Sequence, residues 1–408
     1  MLQYQLKMED APILRLLDSV IAQGLKAGSS DIHLEPGDGF DRVRYRIDGV
    51  LQQAQRLPME RHAALVSCIK LMAGMDIAEK RKPQDGRTQV THGGQKIDLR
   101  VSSLPTVLGE KIVIRVLDSE ANRLCLEDMG FTEENLALYR TMYKSSYGLI
   151  LITGPTGSGK TTTLYATLQE LNRPERNIIT IEDPVEYRME GVNQVEVNTK
   201  TGMTFAGGLR SILRQDPNII MIGEIRDRET AEISIQAALT GHLVFSTLHT
   251  NTAAGSITRL LDMGIEPYLA ASALRGVVAQ RLVRKLCPAC RKEYIVDETV
   301  WEWKLFQNMT DAGNTNNEQE KRNAFTLYRH SGCEACRRSG YRGRVAVHEI
   351  LPVNTALKKK IICHASEQDL WDSAITEYPG LASLEEDGKK KVKEGVTSVQ
   401  ELLSVLGV

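Results

Sequence analysis

The sequence predicts an α/β protein in which a doubly wound domain with a parallel sheet follows a smaller mixed α+β domain. Before residue 120, apolar and polar residues alternate at the spacing of half-buried strands. After residue 148, continuous apolar runs alternate with helical segments, at residues 149–153, 177–182, 218–224 and 242–247. Such runs are typical of parallel strands that are buried on both faces.

The first 120 residues carry the signals of one helix followed by several strands. Asp10 is a candidate N-cap, Pro12 suits the first turn, and Gly28 can end the helix. In residues 43–47 apolar and charged side chains alternate, and Gly93–Gly94 lies between two further strand-like runs. At the other end of the chain, residues 383–408 are predicted to be helical with a solvated basic face.

Composition limits the classes of function. The 408 residues are 42% hydrophobic and 25% charged, with a formal net charge of −1, as in ordinary globular proteins. A near-neutral chain gives no support to a nucleic-acid-binding surface. The N-terminus is a poor signal peptide, and no apolar run approaches the roughly 20 residues that span a bilayer. We therefore expect a cytoplasmic protein that reaches a membrane only through partners.

A glycine-rich motif follows the first apolar run and precedes a helical segment. It matches GxxxxGK[ST], a loop whose backbone N–H groups surround a phosphate at a helix N-terminus. Lys160 is expected to reach the β- and γ-phosphates of ATP, and the Thr161 hydroxyl to ligate Mg²⁺. The predicted nucleotide-binding residues here are Gly154, Pro155, Thr156, Gly157, Ser158, Gly159, Lys160, Thr161 and Thr162.

Two acidic elements end neighbouring apolar runs. Glu224 ends the run at 218–224 and is a candidate for polarising the attacking water, with a helix N-cap as the alternative. Its preceding residue is glycine, where many such enzymes have aspartate, so Mg²⁺ is expected to depend on Thr161, the phosphates and water. Glu182, Asp183 and Glu186 form the second cluster. The sequence leaves open whether Glu182 or Glu224 is the base.

Two histidines flank the last apolar run. His249 follows the run, on the edge where the glycine-rich loop is expected, so it is a candidate for contacting the γ-phosphate. His242 precedes the run and is a second candidate. A purely structural role is the alternative for both.

Four of the seven cysteines form two CxxC pairs within residues 284–345. This spacing predicts a structural tetrahedral Zn²⁺ site, and a dithiol redox site is the alternative. A polar insert at 306–323 is predicted to be a mobile loop. The predicted ligands are Cys287, Cys290, Cys333 and Cys336. Nearby basic residues expected to offset the thiolate charge are Arg284, Lys285, Arg291, Lys292, Arg337 and Arg338.

These motifs together resemble the type II/type IV secretion ATPase family (GspE/PilB-like). The resemblance rests on GPTGSGKTTTLY, TIEDPVE, LRSILRQDPNIIMIGEIRD and TGHLVFSTLHTN, and on SSDIHLEP, RYRIDG, RKPQDGR and RVSSLPTVLGEKIVIR nearer the N-terminus. It implies a RecA-like motor domain over 121–408, a PAS-like domain and linker over 1–120, and a homohexamer. It also implies nucleotide at the cleft between the two domains.

The resemblance extends to two sets of arginines. Arg100 and Arg115 match family arginines that reach the nucleotide from the N-terminal domain, and Arg210, Arg214 and Arg226 match a set in the motor domain. Positive charge on the γ-phosphate oxygens is what phosphoryl transfer requires. An ordinary surface ion pair is the alternative for each.

The expected function is a hexameric ATPase that powers type IV pilus assembly or type II secretion, with inner-membrane platform proteins as partners. The tetracysteine module resembles the assembly and secretion branches rather than the pilus-retraction branch. A nucleic-acid translocase on the same core and a non-catalytic scaffold are the alternatives. Many family members carry a further N-terminal domain, and the sequence leaves open whether this chain is a short member or a truncated one.

Overall fold

A computed structural model describes residues 12–117, 125–306 and 325–407. The chain divides into two compact units, Met1–Arg123 and Leu124–Val408. The predicted N-cap Asp10 and nearly all of the predicted mobile loop lie outside the described residues. Among the helices of those three ranges, none combines the length and the apolar character needed to cross a membrane.

Within residues 12–117, the described part of the first unit, two α-helices pack with one six-stranded antiparallel sheet. The strands lie side by side in the order β3-β2-β1-β6-β5-β4. The elements are α1 (Pro12–Lys26), β1 (Asp31–Glu35), β2 (Phe40–Ile47), β3 (Val50–Pro58), α2 (His62–Met72), β4 (Gln84–His92), β5 (Gln95–Thr106) and β6 (Gly109–Leu117).

Both helices of this unit contribute to one apolar core with the sheet. Leu17 and Ile21 of α1 and Leu65 of α2 share that core with Val43 of β2. The Tyr45 hydroxyl donates to the carbonyl oxygen of Val20 at 2.7 Å, which ties β2 to α1. Because side chains alternate along a strand, the charged residues between these core positions lie on the opposite face of the sheet.

The second unit contains a seven-stranded sheet in the order β15-β12-β7-β11-β10-β8-β9. Its elements up to the middle of the unit are α3 (Glu133–Tyr143), β7 (Gly148–Thr153), α4 (Lys160–Leu171), β8 (Ile178–Glu182), β9 (Val192–Glu196), α5 (Phe205–Ile212), β10 (Ile219–Ile222), α6 (Arg228–Leu239) and β11 (Leu243–Leu248). The remaining elements are α7 (Ala253–Asp262), α8 (Pro267–Ala273), β12 (Leu274–Leu286), β13 (Lys292–Val296), α9 (Glu302–Phe306), β14 (Phe325–Arg329), β15 (Tyr341–Pro352), α10 (Thr355–Ile362), α11 (Glu367–Glu377), α12 (Leu384–Lys393) and α13 (Val399–Leu406).

The four predicted apolar runs form β7, β8, β10 and β11, which pair in parallel. Successive residues of these strands enter different cores. Leu151 and Val244 belong to a cluster with α5, α6 and α7, whereas Ile152 and Phe245 belong to a cluster with α3 and α4. Burial on both faces is the reason why the sequence shows continuous apolar runs here.

The C-terminal segment forms helices α12 and α13, as predicted, but its basic face is not wholly solvated. Lys391 is buried, and its Nζ lies 2.5 Å from the Asp387 carboxylate. Asp387 also accepts the backbone N–H of His348 in β15 at 2.8 Å. One lysine of this face therefore belongs to the packing of α12 on the sheet.

Candidate functional site

The register of the parallel sheet brings the glycine-rich loop and the segment after β11 to one edge. Thr153, the last residue of β7, pairs with Leu248, the last residue of β11. Beyond them, the backbone N–H of Thr250 donates to Thr153 Oγ1 at 2.9 Å. The loop that begins at Gly154 and the segment that begins at His249 are therefore fixed side by side.

The loop is closely packed and has a left-handed backbone at several glycines. Gly157 and Gly159 have φ of +80° and +90°, a region that favours glycine. Lys160 begins α4, and its Nζ donates to the carbonyl oxygens of Gly154 and Pro155 at 2.7 and 3.1 Å. The loop thus wraps around a lysine at the N-terminus of a helix, the arrangement that suits an anion.

Polar groups of the loop are suited to a phosphate. Burial lowers the pKa of Lys160 to about 8, and the nearby Glu224 carboxylate opposes that effect. Ser158 Oγ is buried and has no hydrogen-bond partner within the described residues. Thr161 is exposed and Thr162 half-buried directly after the lysine. The loop therefore offers a phosphate at least one hydrogen-bond donor, Ser158 Oγ, that has no other partner within the described residues.

Glu224 lies at the same edge, two residues after β10, with its side chain 15% exposed. Its carboxylate forms an ion pair with Arg226, and its Oε2 lies 3.5 Å from His249 Nε2. Burial and the positive charge of Lys160 lower the pKa of His249. Glu224, Arg226, His249 and Lys160 therefore form one electrostatic cluster beside the loop.

Glu182 has a different environment, inside the protein at the end of β8. It accepts hydrogen bonds from the Tyr165 hydroxyl and, at 2.6 and 3.3 Å, from Thr180 Oγ1 and Gln194 Nε2. Burial raises its pKa. Since β8 is the third strand from β7, its end lies about 14 Å from the loop. The remaining acids of this cluster, Asp183 and Glu186, are exposed and half-buried.

The structure does not bring His242 or Arg214 to this edge within one chain. His242 precedes β11, so the length of that strand, about 20 Å, separates it from His249. Its Nδ1 lies 3.0 Å from the carbonyl oxygen of Ala237. Arg214 lies just after α5. The carbonyl oxygen of the next residue, Gln215, accepts a hydrogen bond from Asn177, which directly precedes β8. Both therefore lie toward the opposite edge of the sheet.

Arg210, which lies within α5, is exposed and forms an ion pair with Glu229 at 2.6 Å. Arg214 donates to the carbonyl oxygen of Arg210 at 2.8 Å. Of the three motor-domain arginines in the predicted set, Arg226 is the one that forms an ion pair with Glu224 within the described residues.

In the first unit, Arg100 and Arg115 lie directly opposite each other on β5 and β6. They belong to a row across five strands on the sheet face away from the apolar core, which consists of Arg87, Arg100, Arg115, Asp31 and Arg46. Asp31 accepts Arg115 Nε at 3.1 Å and lies 3.5 Å from Arg46 Nε. Like charges opposite each other on a sheet are destabilising, and the Asp31 carboxylate between Arg115 and Arg46 offsets this at one end of the row.

One residue that contacts the loop was missed by the sequence reasoning. Gln280, in the middle of β12, is 1% exposed and donates from Nε2 to the carbonyl oxygen of Ser158 at 2.7 Å. Its neighbour Arg281 donates to the Asn251 side chain at 3.0 Å. The sequence signal that could have revealed Gln280 is that it and Arg281 are polar within the apolar stretch GVVAQRLV.

The four predicted metal ligands come together, with all four Sγ atoms within 4.8 Å of one another. The Sγ–Sγ distances are 3.9 Å for Cys287–Cys333 and 3.7 Å for both Cys290–Cys336 and Cys333–Cys336. A tetrahedron with 2.3 Å Zn–S bonds has edges of about 3.8 Å, whereas a disulfide has a bond of about 2.05 Å. The donor set therefore fits Zn²⁺ and not a disulfide.

Backbone N–H groups point at these sulfurs, as expected around metal-bound thiolates. Gly332 and Gly340 donate to Cys290 Sγ and Cys336 Sγ at 3.3 and 3.2 Å. Two of the nearby basic residues have other partners: Arg284 pairs with Glu401 at 2.5 Å, and Arg291 donates to the carbonyl oxygen of Gly395 at 2.7 Å. The backbone thus contributes to the charge balance that the sequence analysis assigned to side chains.

Comparison with known proteins identifies the family. Residues 7–404 match the model of the type II/IV secretion system protein family. The chain belongs to this family. The type II secretion system ATPase E of Vibrio cholerae serotype O1 is 49% identical over 97% of this chain and 76% of its own length. The type IV pilus assembly ATPase PilB of Myxococcus xanthus is 48% identical over 97% of this chain and 68% of its own length.

Solved structures agree with this assignment. The pilus retraction motor PilT with bound ADP superposes with a TM-score of 0.64 at 27% identity, covering 97% of both chains. The ATPase DotB of Legionella pneumophila has the same fold, with a TM-score of 0.68 at 20% identity over 98% of this chain and 99% of its own. The α/β fold class predicted from the sequence is thereby confirmed.

The tetracysteine cluster of this family member gives a first prediction. We expect the purified chain to hold about one Zn²⁺ per chain by elemental analysis, because four converging thiolates make a closed structural site. Cys336→Ser should lose most of that zinc and lower the melting temperature. Cys363→Ser, at an exposed cysteine outside the cluster, should change neither. Equal zinc content in both variants would contradict the assignment.

Proposed function

We propose that this protein hydrolyses ATP at the glycine-rich loop and, as a homohexamer, converts hydrolysis into the assembly of a pilus or of a type II secretion filament. One observation carries the proposal. The loop, Lys160, Glu224 and His249 occupy one edge of a parallel sheet, where ligands of doubly wound folds bind. The names of the relatives, secretion and pilus assembly ATPases, and the ADP bound to PilT support it.

In this proposal the loop holds the phosphates. Lys160, which now donates to the carbonyl oxygens of its own loop, turns to the β- and γ-phosphates. Thr161 is the residue that would hold Mg²⁺, because it is exposed directly after the lysine. Bound Mg²⁺ would supply neutralising charge to the phosphate oxygens.

Glu224 is proposed as the residue that orients and polarises the attacking water. Its carboxylate is partly exposed and lies beside Lys160 and His249, so it faces the region of the γ-phosphate. Glu182 is proposed to be structural, because both of its oxygens accept hydrogen bonds inside the protein. His249 and Arg226 hold the Glu224 carboxylate in position.

Arg100 and Arg115 are proposed to supply positive charge to the phosphates from the first unit, as arginine fingers do in other phosphoryl-transfer enzymes. Their position directly opposite each other on β5 and β6, with Arg115 held by Asp31, supports this role. Arg210, Arg214 and His242 are proposed to contribute through contacts between subunits of the hexamer.

The machine that the motor drives is proposed from its relatives. Their names indicate secretion and pilus machines, so the partners are proposed to be inner-membrane platform proteins of such a machine. The protein would then act on the cytoplasmic side, held at the membrane through those partners.

The first test removes the charge that faces the phosphates. Lys160→Ala should abolish ATP hydrolysis and weaken ADP binding at least about tenfold. Lys144→Ala, at an exposed lysine of the same unit, is the control and should behave as the unchanged protein. Turnover of the Lys160→Ala variant at the normal rate would show that the chemistry takes place elsewhere.

A second test separates the two glutamates. Glu224→Gln keeps the size of the side chain but loses the basic oxygen, so it should bind ATP normally and hydrolyse it at least about 100-fold more slowly. Glu182→Gln should mainly lower the melting temperature, because it disturbs buried hydrogen bonds. If single-turnover rates fall more in Glu182→Gln than in Glu224→Gln, the assignment of the base is reversed.

A third test concerns the first unit. Arg100→Ala should leave folding and ATP binding largely intact while turnover falls by about three orders of magnitude, as for other arginine fingers. Arg81→Ala, at an arginine that is 88% exposed and paired with Glu79, is the matched control and should leave melting temperature, nucleotide affinity and turnover unchanged. Melting temperature, nucleotide affinity and turnover are measured together. Normal turnover in well-folded Arg100→Ala would remove the first unit from catalysis.

A further inference from the structure

The Gln280 amide is buried between the glycine-rich loop and the first turns of α4. Its Nε2 donates to the carbonyl oxygen of Ser158 at 2.7 Å, and its Oε1 accepts the Thr163 hydroxyl at 2.9 Å. Its neighbours in β12, Val278 and Ala279, are wholly buried apolar residues. A polar side chain in such a position is costly unless it is paired, so its two hydrogen bonds fix it firmly.

The loop is shaped to lie directly on this residue. A Cβ atom at Gly154 would lie 2.4 Å from the carbonyl oxygen of Gln280, and a Cβ atom at Gly159 would lie 2.8 Å from its Nε2. Two glycines of the GxxxxGK motif are thus in contact with Gln280. The close packing means that this side chain, and not solvent, defines the position of the Ser158–Gly159 peptide.

Holding the Ser158 carbonyl also orients the next N–H group. The Ser158–Gly159 peptide is trans, since the cis peptide bond of the described residues is Asp183–Pro184. In a planar trans peptide the C=O and the N–H point in opposite directions. The hydrogen bond from Gln280 therefore turns the Gly159 N–H away from β12.

We propose that Gln280 is a positioning residue that aims the Gly159 N–H at the phosphates of a bound nucleoside di- or triphosphate. The inference rests on the proposed function of the loop and adds a residue that the motif itself does not contain. Gln280 touches the backbone of the loop and not the ligand, so it acts by fixing one donor before the phosphate arrives. A pre-oriented N–H group needs no reorganisation when it binds an anion.

The proposal separates the two ends of the amide. Only the Nε2 end holds the Ser158–Gly159 peptide, whereas the Oε1 end ties β12 to α4 through Thr163. Loss of the donor should weaken phosphate binding, and loss of the Thr163 contact should cost stability alone. If Gln280 were merely structural, losing the Nε2 donor and losing the Thr163 contact would have the same effect on phosphate binding and on stability.

The experiment titrates the full-length chain with Mg²⁺·ADP and measures the melting temperature without nucleotide. Gln280→Met has a similar length but no donor, and Thr163→Val is the matched control that leaves the donor in place. We expect the Kd for ADP to rise about tenfold in Gln280→Met and less than twofold in Thr163→Val. An unchanged Kd in folded Gln280→Met, or equal increases in both variants, would overturn the proposal.

Two further variants make the result decisive. If Gln280→Met does not fold, Gln280→Asn takes its place, because it keeps a polar amide but withdraws it by one C–C bond of about 1.5 Å. The same two outcomes then apply. Lys160→Ala serves as the reference for the proposed function. If Lys160→Ala binds ADP as tightly as the unchanged chain, the loop is not the nucleotide site and the proposed function fails. If Lys160→Ala loses affinity while Gln280→Met does not, the proposed function stands and only the role of Gln280 fails.

Discussion

The parallel pairing of β7 with β11 is the constraint on which the candidate site depends. Because Thr153 and Leu248 are in register, the loop after β7 and the segment after β11 leave the sheet at the same level, and hydrogen bonds between Thr153 and Thr250 join them. β10 ends beside β11, so Glu224 is delivered to the same edge. Residues about 70 to 100 positions apart in sequence are thus brought together by the pairing of the strands, and not by long loops. A slip of one residue would turn every side chain of a strand to the other face.

Strand β12 connects this edge to the rest of the second unit. Along its thirteen residues it carries Gln280, which holds the loop, Arg281, which contacts Asn251, and Arg284, which pairs with Glu401 of α13. Cys287, a ligand of the tetracysteine cluster, follows the strand directly. A strand in the interior of a sheet is stiff, since it is hydrogen-bonded on both sides, here by β7 and β15. The cluster and the C-terminal helices therefore act as a rigid support for the element that holds the loop.

The sequence predicted those parts of the structure that have a strong local pattern. Burial on both faces produces continuous apolar runs, so the four parallel strands were evident, and fixed spacing revealed the loop and the four cysteines. It placed His249 on the edge of the loop from the strand direction, but it kept His242 as a second candidate because both histidines flank the same strand. Gln280 was missed because its partners lie more than 110 residues away, at Ser158 and Thr163. The ion pair of Arg284 was hidden for a similar reason, because its partner Glu401 belongs to the last helix.

The two glutamates at the strand ends show how one sheet can give similar residues different environments. Glu182 is the last residue of β8, still within the pleat, so its side chain enters the core beside α4 and both oxygens find donors there. Glu224 lies two residues beyond β10, and its carboxylate turns toward a lysine, an arginine and a histidine at the edge. A carboxylate can accept a proton from water only if a lone pair is free to face it. Both oxygens of Glu182 already accept hydrogen bonds inside the protein, which is why we propose Glu224 and not Glu182 for that role.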